Sequence, residues 1–138
     1  MARDLILVAE DEADTARLVA YHLERGGFDT LVAGDGMTAL NAVFERKPAL
    51  VVLDWMLPRM AGLEVCRLVK ASPTARQTRI IMVTAMAATE NKLAGFRCGA
   101  DDYLTKPFDV RELVARVKGL LERRNDSHEI HGNQPSER

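Results

Sequence analysis

The chain has 138 residues, of which 47% are hydrophobic and 28% charged, and its formal charge is −1. This is the size of one globular domain with its own hydrophobic core. The balanced charge excludes the strongly basic surface of a domain that holds nucleic acid by its phosphates. No apolar run approaches the ~18 residues of a membrane span, and the run at 5–9 is too short for a secretory leader. We therefore expect a cytoplasmic protein that does not enter a membrane.

The first half of the chain alternates strand-like and helix-like segments. The run at 5–9 is continuous and apolar, which is typical of strands buried on both faces of a parallel sheet. Apolar residues at helical spacing over 16–23 predict a first helix, which should stop at Gly26. The run at 28–33 is more polar, as an edge strand can be, and Asp35 is the expected N-cap of a second helix.

The middle of the chain repeats this alternation. Apolar runs at 50–53 and 80–83 predict two more buried strands, with a helix between them. The segment 89–98 predicts a weak fourth helix, because it contains an internal glycine and few large apolar residues. A polar strand is expected at 102–105. Alternating strands and helices with short connections predict an α/β fold, in which a parallel sheet carries helices on both faces.

The last helix has the clearest apolar stripe, and the segment after it differs in kind. Asp109 as N-cap and Glu112 three residues later resemble a capping box at the start of this helix. Residues 125–138 are polar and lack periodicity, so we expect a disordered tail or the start of an interdomain linker after a folded domain at 4–124. His128 and His131 could bind a metal, but a solvated tail is favoured because no further ligands complete a site.

The two cysteines, Cys66 and Cys98, both lie inside helix-like segments. A chain without a secretory leader is expected in the reducing cytosol, where disulfides are rare. We therefore expect two free, small core residues rather than a disulfide.

Polar side chains follow four of the predicted strands. Glu10 and Asp11 come after the first strand, Asp54 after the third, Thr84 after the fourth and Lys106 after the fifth. In an open α/β sheet, ligands bind beyond the carboxyl ends of the strands, so these groups should converge on one crevice. Each residue taken alone has an ordinary explanation as a cap, turn, strand end or surface charge. Their joint placement favours a site.

The chemistry of this set points to phosphoryl transfer. Carboxylates held close together repel one another and need a cation, and oxygen ligands without His or Cys favour Mg²⁺. Lys106 and the ion would neutralise an incoming phosphoryl group, to which Thr84 offers a hydroxyl donor. One carboxylate is then free to act as a nucleophile and become an aspartyl-phosphate.

These motifs resemble the receiver domain of two-component response regulators, of the OmpR/PhoB subfamily. The resemblance covers about residues 4–124 and implies a flavodoxin-like fold with a five-stranded parallel sheet in the order 2-1-3-4-5. The motifs that carry it are Glu10-Asp11-Glu12, the segment 54–58 with Met60 and Gly62, Thr84-Ala85, and the segment 99–103 running into Lys106-Pro107-Phe108.

The resemblance implies a role for each site residue. Asp54 would be the phosphoacceptor, and Lys106 would pair with the phosphoryl group or with Asp54. Asp11, Asp54 and the backbone carbonyl of Met56 would ligate Mg²⁺, with Glu10 in support through a water molecule.

The resemblance also implies a conformational switch. The Thr84 hydroxyl would move towards the phosphoryl group and the Tyr103 ring would turn inward behind it. The Lys106–Pro107 peptide bond would be cis, which aims the lysine into the crevice. Met86 departs from many relatives, which carry a basic or polar residue there, at a position that can tune the access of water to the acyl phosphate.

Charged residues of both signs lie on the face that the fourth helix, fifth strand and fifth helix would share. They could form an ordinary solvated surface, where exposed pairs contribute ~0–1 kcal/mol each. The resemblance instead implies a two-fold dimer interface, which needs both signs on one patch. Its expected pairs between subunits are Lys92 with Glu112, Asp102 with Arg116 and Asp101 with Arg123.

The resemblance implies a signalling switch rather than an enzyme, catalysing only its own phosphoryl transfer and dephosphorylation. A sensor histidine kinase would be the donor, phosphorylation would favour a homodimer, and a DNA-binding output domain would lie beyond the tail. A stand-alone regulator that acts on a protein partner is the alternative. A nucleotide- or flavin-binding enzyme would need a phosphate loop where Glu10 and Asp11 stand. A phosphohydrolase with an aspartyl-phosphate intermediate would be expected to have a carboxylate at the position of Met56. An interaction module that never takes phosphate would not need Asp11, Asp54, Thr84 and Lys106 together.

Overall fold

The fold is a parallel sheet with helices packed on both sides. The computed structural model describes residues 3–85 and 98–130, with side chains in the last helix as far as residue 123. The strands are β1 (Leu5–Ala9), β2 (Asp29–Ala33), β3 (Leu50–Asp54), β4 (Arg79–Thr84) and β5 (Asp102–Thr105). The helices of the described residues are α1 (Ala13–Arg25), α2 (Gly36–Arg46), α3 (Gly62–Ala71) and α4 (Val110–Ile130). All neighbouring strands pair in parallel in the order β2-β1-β3-β4-β5, which confirms the predicted fold.

The alternation of side chains along each strand builds two hydrophobic layers. On β1, Ile6 and Val8 belong to the layer under α1 and α4, whereas Leu7 and Ala9 belong to the layer under α2 and α3. Successive strand residues point to opposite faces of a sheet, so an apolar run without alternation buries both. The continuous apolar runs that predicted central strands are explained by this double burial.

The helix ends follow local sequence signals. The Asp35 side chain accepts a hydrogen bond from the Thr38 backbone N–H at 2.8 Å, as the predicted N-cap of α2 should. Helix α1 follows Glu12, whose side chain makes no capping hydrogen bond. Its last residue is Arg25 and its C-cap is Gly26, where the helix was predicted to stop. Glu10 accepts a hydrogen bond from the Glu12 backbone N–H at 3.0 Å, so it lies just before the cap.

Several boundaries differ from those predicted. Strands β3 and β4 include Asp54 and Thr84, which therefore lie on the last residue of a strand rather than after it. At the start of α4, Asp109 accepts from the Arg111 backbone N–H at 2.8 Å, but Glu112 pairs with Arg116 instead of completing a capping box.

The chain beyond residue 124 was predicted to be a tail. Helix α4 continues to Ile130, so the first part of that segment has helical backbone. His131 and the rest of the chain, and most of the predicted fourth helix at 89–98, lie outside the described residues. The boundary between domain and tail therefore stays a prediction. Within the described ranges, no helix has both the length and the apolar character that crossing a bilayer requires.

Candidate functional site

The carboxyl edge of the sheet brings the predicted acidic and basic groups together. Lys106 Nζ lies 3.0 Å from Asp54 Oδ2 and 3.2 Å from Glu10 Oε1. One carboxylate oxygen each from Glu10, Asp11 and Asp54 lie within 4.8 Å of one another. Glu10 and Asp54 are buried and Asp11 is exposed. Three carboxylates thus face one ammonium group, which leaves an excess of negative charge that could hold a metal ion.

Burial and charge change the proton affinities of two of these groups. Burial is the main reason that the pKa of Glu10 is raised, and the Asp54 charge adds to it against the opposing effects of the Glu12 N–H and Lys106. Burial by itself would lower the pKa of Lys106, but its hydrogen bonds and charge interactions with Asp54 and Glu10 outweigh it, so that pKa is raised. The lysine is therefore held in its charged form.

The loop between β3 and α3 is fixed closely against its surroundings. The Met56 backbone N–H donates to Asp54 Oδ1 at 3.1 Å, while the Met56 side chain is exposed. A Cβ on Gly62 would lie 2.1 Å from the Asp54 carbonyl oxygen, and one on Gly36 would lie 1.9 Å from the Met60 carbonyl oxygen. Since only glycine permits these approaches, Gly36 and Gly62 position the loop that carries the predicted Met56 ligand.

The loop has a second attachment to α2. Arg59 has a left-handed backbone conformation, with φ at 71°, and its guanidinium lies 3.4 Å from Asp35 Oδ2. The Gly36 backbone N–H also donates to the Pro58 carbonyl at 3.0 Å. The contact of α2 with this loop was missed from the sequence, where the Asp35-Gly36 pair signals only a helix start.

The predicted switch residues lie on β4, which adjoins the strand of Asp54, and on β5, one strand further out. Thr84 is buried at the end of β4 and faces Thr105 of β5 in the sheet register. Its carbonyl accepts from the Lys106 backbone N–H at 2.7 Å. Tyr103 is half-buried against the layer under α2 and α3, and burial raises its pKa. The Lys106–Pro107 bond is cis, which confirms that prediction.

The predicted dimer face carries ion pairs within a single chain. Arg116 lies 2.8 Å from Asp102 and 2.9 Å from Glu112. Asp101 contacts Lys70 at 3.1 Å and Arg79 at 3.3 Å. The remaining two residues of this set are Arg123, which is exposed, and Lys92, which like Met86 lies outside the described residues. A pair between subunits would therefore have to exchange with existing contacts, and the interface stays a prediction.

An open groove of about 710 Å³ runs beside the site. It lies between α1 and the segment that follows β5, and Lys106 forms part of its wall together with Leu18 and Phe108. Leu18 is 52% exposed. An exposed leucine beside the lysine of the acidic cluster provides an apolar surface next to the charged groups.

Acidic residues and a lysine meet at the carboxyl edge of a sheet in the order 2-1-3-4-5, which is the strand order of flavodoxin-like domains. The sequence pattern of the response regulator receiver domain matches residues 6–118, and the chain belongs to this family. It is of the OmpR/PhoB type, as the motifs predicted. Members of this family are signalling proteins rather than enzymes of the usual kind.

Particular relatives support this assignment. The chain is 43% identical over 123 residues to the phosphate regulon transcriptional regulatory protein PhoB of Pseudomonas aeruginosa, covering 89% of this chain and 54% of that protein. It is 47% identical over 124 residues to the DNA-binding response regulator MtrA of Mycobacterium tuberculosis, covering 90% and 53%. The chain thus spans about half the length of these relatives.

Solved structures agree with the fold. The receiver domain of a Francisella response regulator has a TM-score of 0.82 at 36% identity, covering 88% of this chain and 98% of that one. The BeF3-activated DrrB receiver domain has a TM-score of 0.79 at 38% identity, covering 87% and 98%.

Proposed function

We propose that this chain is a phosphorylation-dependent switch that accepts a phosphoryl group on Asp54 from a sensor histidine kinase. The observation that carries the proposal is the position of Asp54, buried at the end of β3, with Lys106 on one carboxylate oxygen at 3.0 Å. The other oxygen accepts the Met56 N–H. The groove beside Lys106 supports docking of a donor protein at this edge.

The proposed transfer uses the existing contacts of Asp54. A carboxylate oxygen of Asp54 attacks phosphorus, the bond from phosphorus to the donor nitrogen or oxygen breaks, and the leaving group takes the electron pair. The phosphoryl group brings nearly two negative charges into an acidic site, so compensation is essential. Lys106 supplies one positive charge, and the buried Thr84 at the end of β4 would donate its hydroxyl to a phosphoryl oxygen.

The acidic cluster fits Mg²⁺ as the second source of compensation. Asp11, Asp54 and the Met56 carbonyl would hold the ion, with Glu10 in support through water. All of these ligands are oxygen atoms, which suits a hard divalent cation. When bound, the ion neutralises charge on the phosphoryl oxygens and orients them for in-line transfer.

The proposed output of the switch is a change in dimerisation. Thr84 and Tyr103 lie on adjacent strands, and β5 also carries Asp102, which pairs with Arg116 on the predicted dimer face. Movement of these side chains would bias that face towards a homodimer. The likeness to PhoB, a transcriptional regulatory protein, and to MtrA, a DNA-binding response regulator, supports a DNA-binding output domain outside this chain. We place the switch in the cytoplasm. A single-domain regulator that acts on a protein partner is the alternative.

Intact-mass measurement tests the phosphoacceptor. After incubation with Mg²⁺ and acetyl phosphate, we expect one base-labile phosphoryl adduct on the parent protein. Asp14→Asn serves as a matched control, because Asp14 is an exposed aspartate on α1, and it should form the same adduct. Asp54→Asn should form none. An adduct on Asp54→Asn, or none on the parent, would contradict the proposal.

Two further measurements test metal binding and dimerisation independently. Trp55 adjoins the nucleophile, so its fluorescence should change on addition of millimolar Mg²⁺, and no change would argue against the proposed ligands. Size-exclusion chromatography with and without beryllofluoride should show a shift to the dimer. An unchanged elution volume would remove the dimer while leaving Asp54 as phosphoacceptor.

A further inference from the structure

Two buried thiols face each other between α3 and the turn before β5. Cys66 on α3 is 0% exposed and Cys98, in the turn before β5, is 6% exposed. Neither forms a disulfide, and their sulfur atoms are 2.6 Å apart. The Cys66 thiol also lies 3.5 Å from the Cys98 carbonyl oxygen. This separation of the sulfur atoms is closer than van der Waals contact, so little movement separates the two thiols from a covalent bond.

The turn that carries Cys98 is held in place by neighbouring contacts. Lys70, one helical turn after Cys66, packs its side chain against Gly99, where an added Cβ would lie 2.9 Å from Lys70 Cγ. The Lys70 ammonium group lies 3.1 Å from Asp101. Asp101 in turn donates its backbone N–H to Ile80 of β4 at 2.8 Å. Contacts on the residues that follow Cys98 therefore fix the approach of the two sulfurs.

We propose that Cys66 and Cys98 form an oxidisable dithiol that peroxide converts to an intrachain disulfide, joining α3 to the turn before β5. Cys98 is the more exposed of the two and reacts first. Its pKa is lowered, mainly by the hydrogen-bond contact with Cys66, which favours the reactive thiolate. Neither cysteine is among the groups proposed to hold the phosphoryl group or the metal ion.

The reaction balances with hydrogen peroxide as the oxidant. The Cys98 thiolate attacks one peroxide oxygen, so that a sulfur–oxygen bond forms and the oxygen–oxygen bond breaks. The hydroxide that leaves takes up the proton released by the Cys98 thiol and becomes water. The Cys66 sulfur then attacks the Cys98 sulfur, forming the disulfide as the sulfur–oxygen bond breaks. The departing hydroxide takes up the Cys66 proton as water. Two thiols are oxidised and one peroxide is reduced to two waters.

Thiol counting on the full chain tests the proposal. The chain contains 2 cysteines, so the reduced protein should take up two iodoacetamide groups under denaturing conditions. After hydrogen peroxide treatment it should take up none, run as a monomer on a non-reducing gel and yield a linked peptide containing both cysteines. Dithiothreitol should restore both thiols. Cys66→Ala and Cys98→Ala should each fail to form a reducible intrachain product.

The thermal unfolding temperature tests whether the disulfide stabilises the fold. The oxidised parent should unfold at a higher temperature than the reduced parent, because a cross-link restricts the unfolded chain. Peroxide should not raise the unfolding temperature of either single-cysteine variant. Two unreacted thiols, a disulfide-linked dimer, sulfinic acid on one cysteine, or no rise in unfolding temperature on disulfide formation would each overturn the proposal.

Discussion

Glu10→Gln tests the charge balance of the acidic cluster, because it removes one negative charge and keeps the shape of the side chain. Glu10 lies 3.2 Å from Lys106 Nζ, and at an effective dielectric constant near 20 the lost attraction is about 5 kcal/mol. Carboxylate oxygens within 4.8 Å of one another repel by at least about 3.5 kcal/mol per pair at the same dielectric constant, and glutamine relieves this repulsion with both Asp54 and Asp11. The opposing charge effects are thus of similar size.

Two further effects determine the sign. Asp11 is exposed, so solvent screens its share of the repulsion. Glu10 is buried, and glutamine avoids the cost of burying a charge. The glutamine side chain can still accept the hydrogen bond from the Glu12 backbone N–H. We therefore expect the metal-free variant to be more stable than the parent by about 1 kcal/mol, a small surplus of repulsion and desolvation over the Lys106 attraction.

The raised pKa of Glu10 leads to the same expectation for the stability of Glu10→Gln. A carboxyl whose folded-state pKa lies above its unfolded value of 4.5 stabilises the fold when protonated. That contribution is fully present below the unfolded pKa and is lost as pH rises through the folded pKa. Above the folded-state pKa the parent carries a buried charge at this position, whereas glutamine is uncharged at every pH.

Urea unfolding followed by circular dichroism measures the effect at neutral pH in EDTA. Glu45→Gln is the matched control, because Glu45 is exposed on α2, and it should change stability by less than ~0.5 kcal/mol. Added Mg²⁺ should then stabilise the parent more than Glu10→Gln, since binding to the folded state adds stability according to affinity. A less stable Glu10→Gln in EDTA would refute the charge balance. An equal response to Mg²⁺ would refute support of the ion by Glu10.

Three other substitutions test how the fold supports the site. Gly36→Ala places a Cβ 1.9 Å from a carbonyl oxygen of the β3–α3 loop, so the Mg²⁺-dependent Trp55 fluorescence change should weaken, and an unaltered Mg²⁺ titration would contradict this role. Asp35→Ala removes the α2 cap and should lower the unfolding temperature. Since the Thr38 N–H lowers the pKa of Asp35, the difference from the parent should vanish as pH falls through that pKa. Leu113→Ala empties a fully buried position and should cost ~2–5 kcal/mol in urea unfolding, with a smaller loss arguing against tight packing there.

The order of elements followed from the sequence because burial leaves a periodic signature. The apolar run of β1 needs no long-range information: every residue is apolar because both faces of the strand are covered. The expected crevice also followed, since parallel strands present their carboxyl ends at one edge. Asp54 and Lys106 could thus be placed together although they stand 52 residues apart.

Boundaries were less predictable where the signal is absent. Helix α4 runs on to Ile130 through polar residues, because hydrophobic periodicity reports burial rather than helical backbone. Asp54 lies on the last residue of β3 because pairing with β4 extends through it. The sheet neighbour, rather than the local sequence, sets the end of the strand.

The sequence by itself determined the layers, the strand-end chemistry and the Asp35 cap. The layers follow from apolar periodicity, the strand-end chemistry from the common edge at which parallel strands end, and the cap from residues close along the chain. Only the tertiary structure decided which charged groups became partners. Asp101 contacts Lys70, and Arg116 lies between Asp102 and Glu112. The contact between the Cys66 and Cys98 thiols likewise could not be predicted from the sequence. Contacts of this kind depend on how whole helices sit against the sheet, and a shift of a few ångströms exchanges one partner for another while leaving the pattern of apolar residues unchanged.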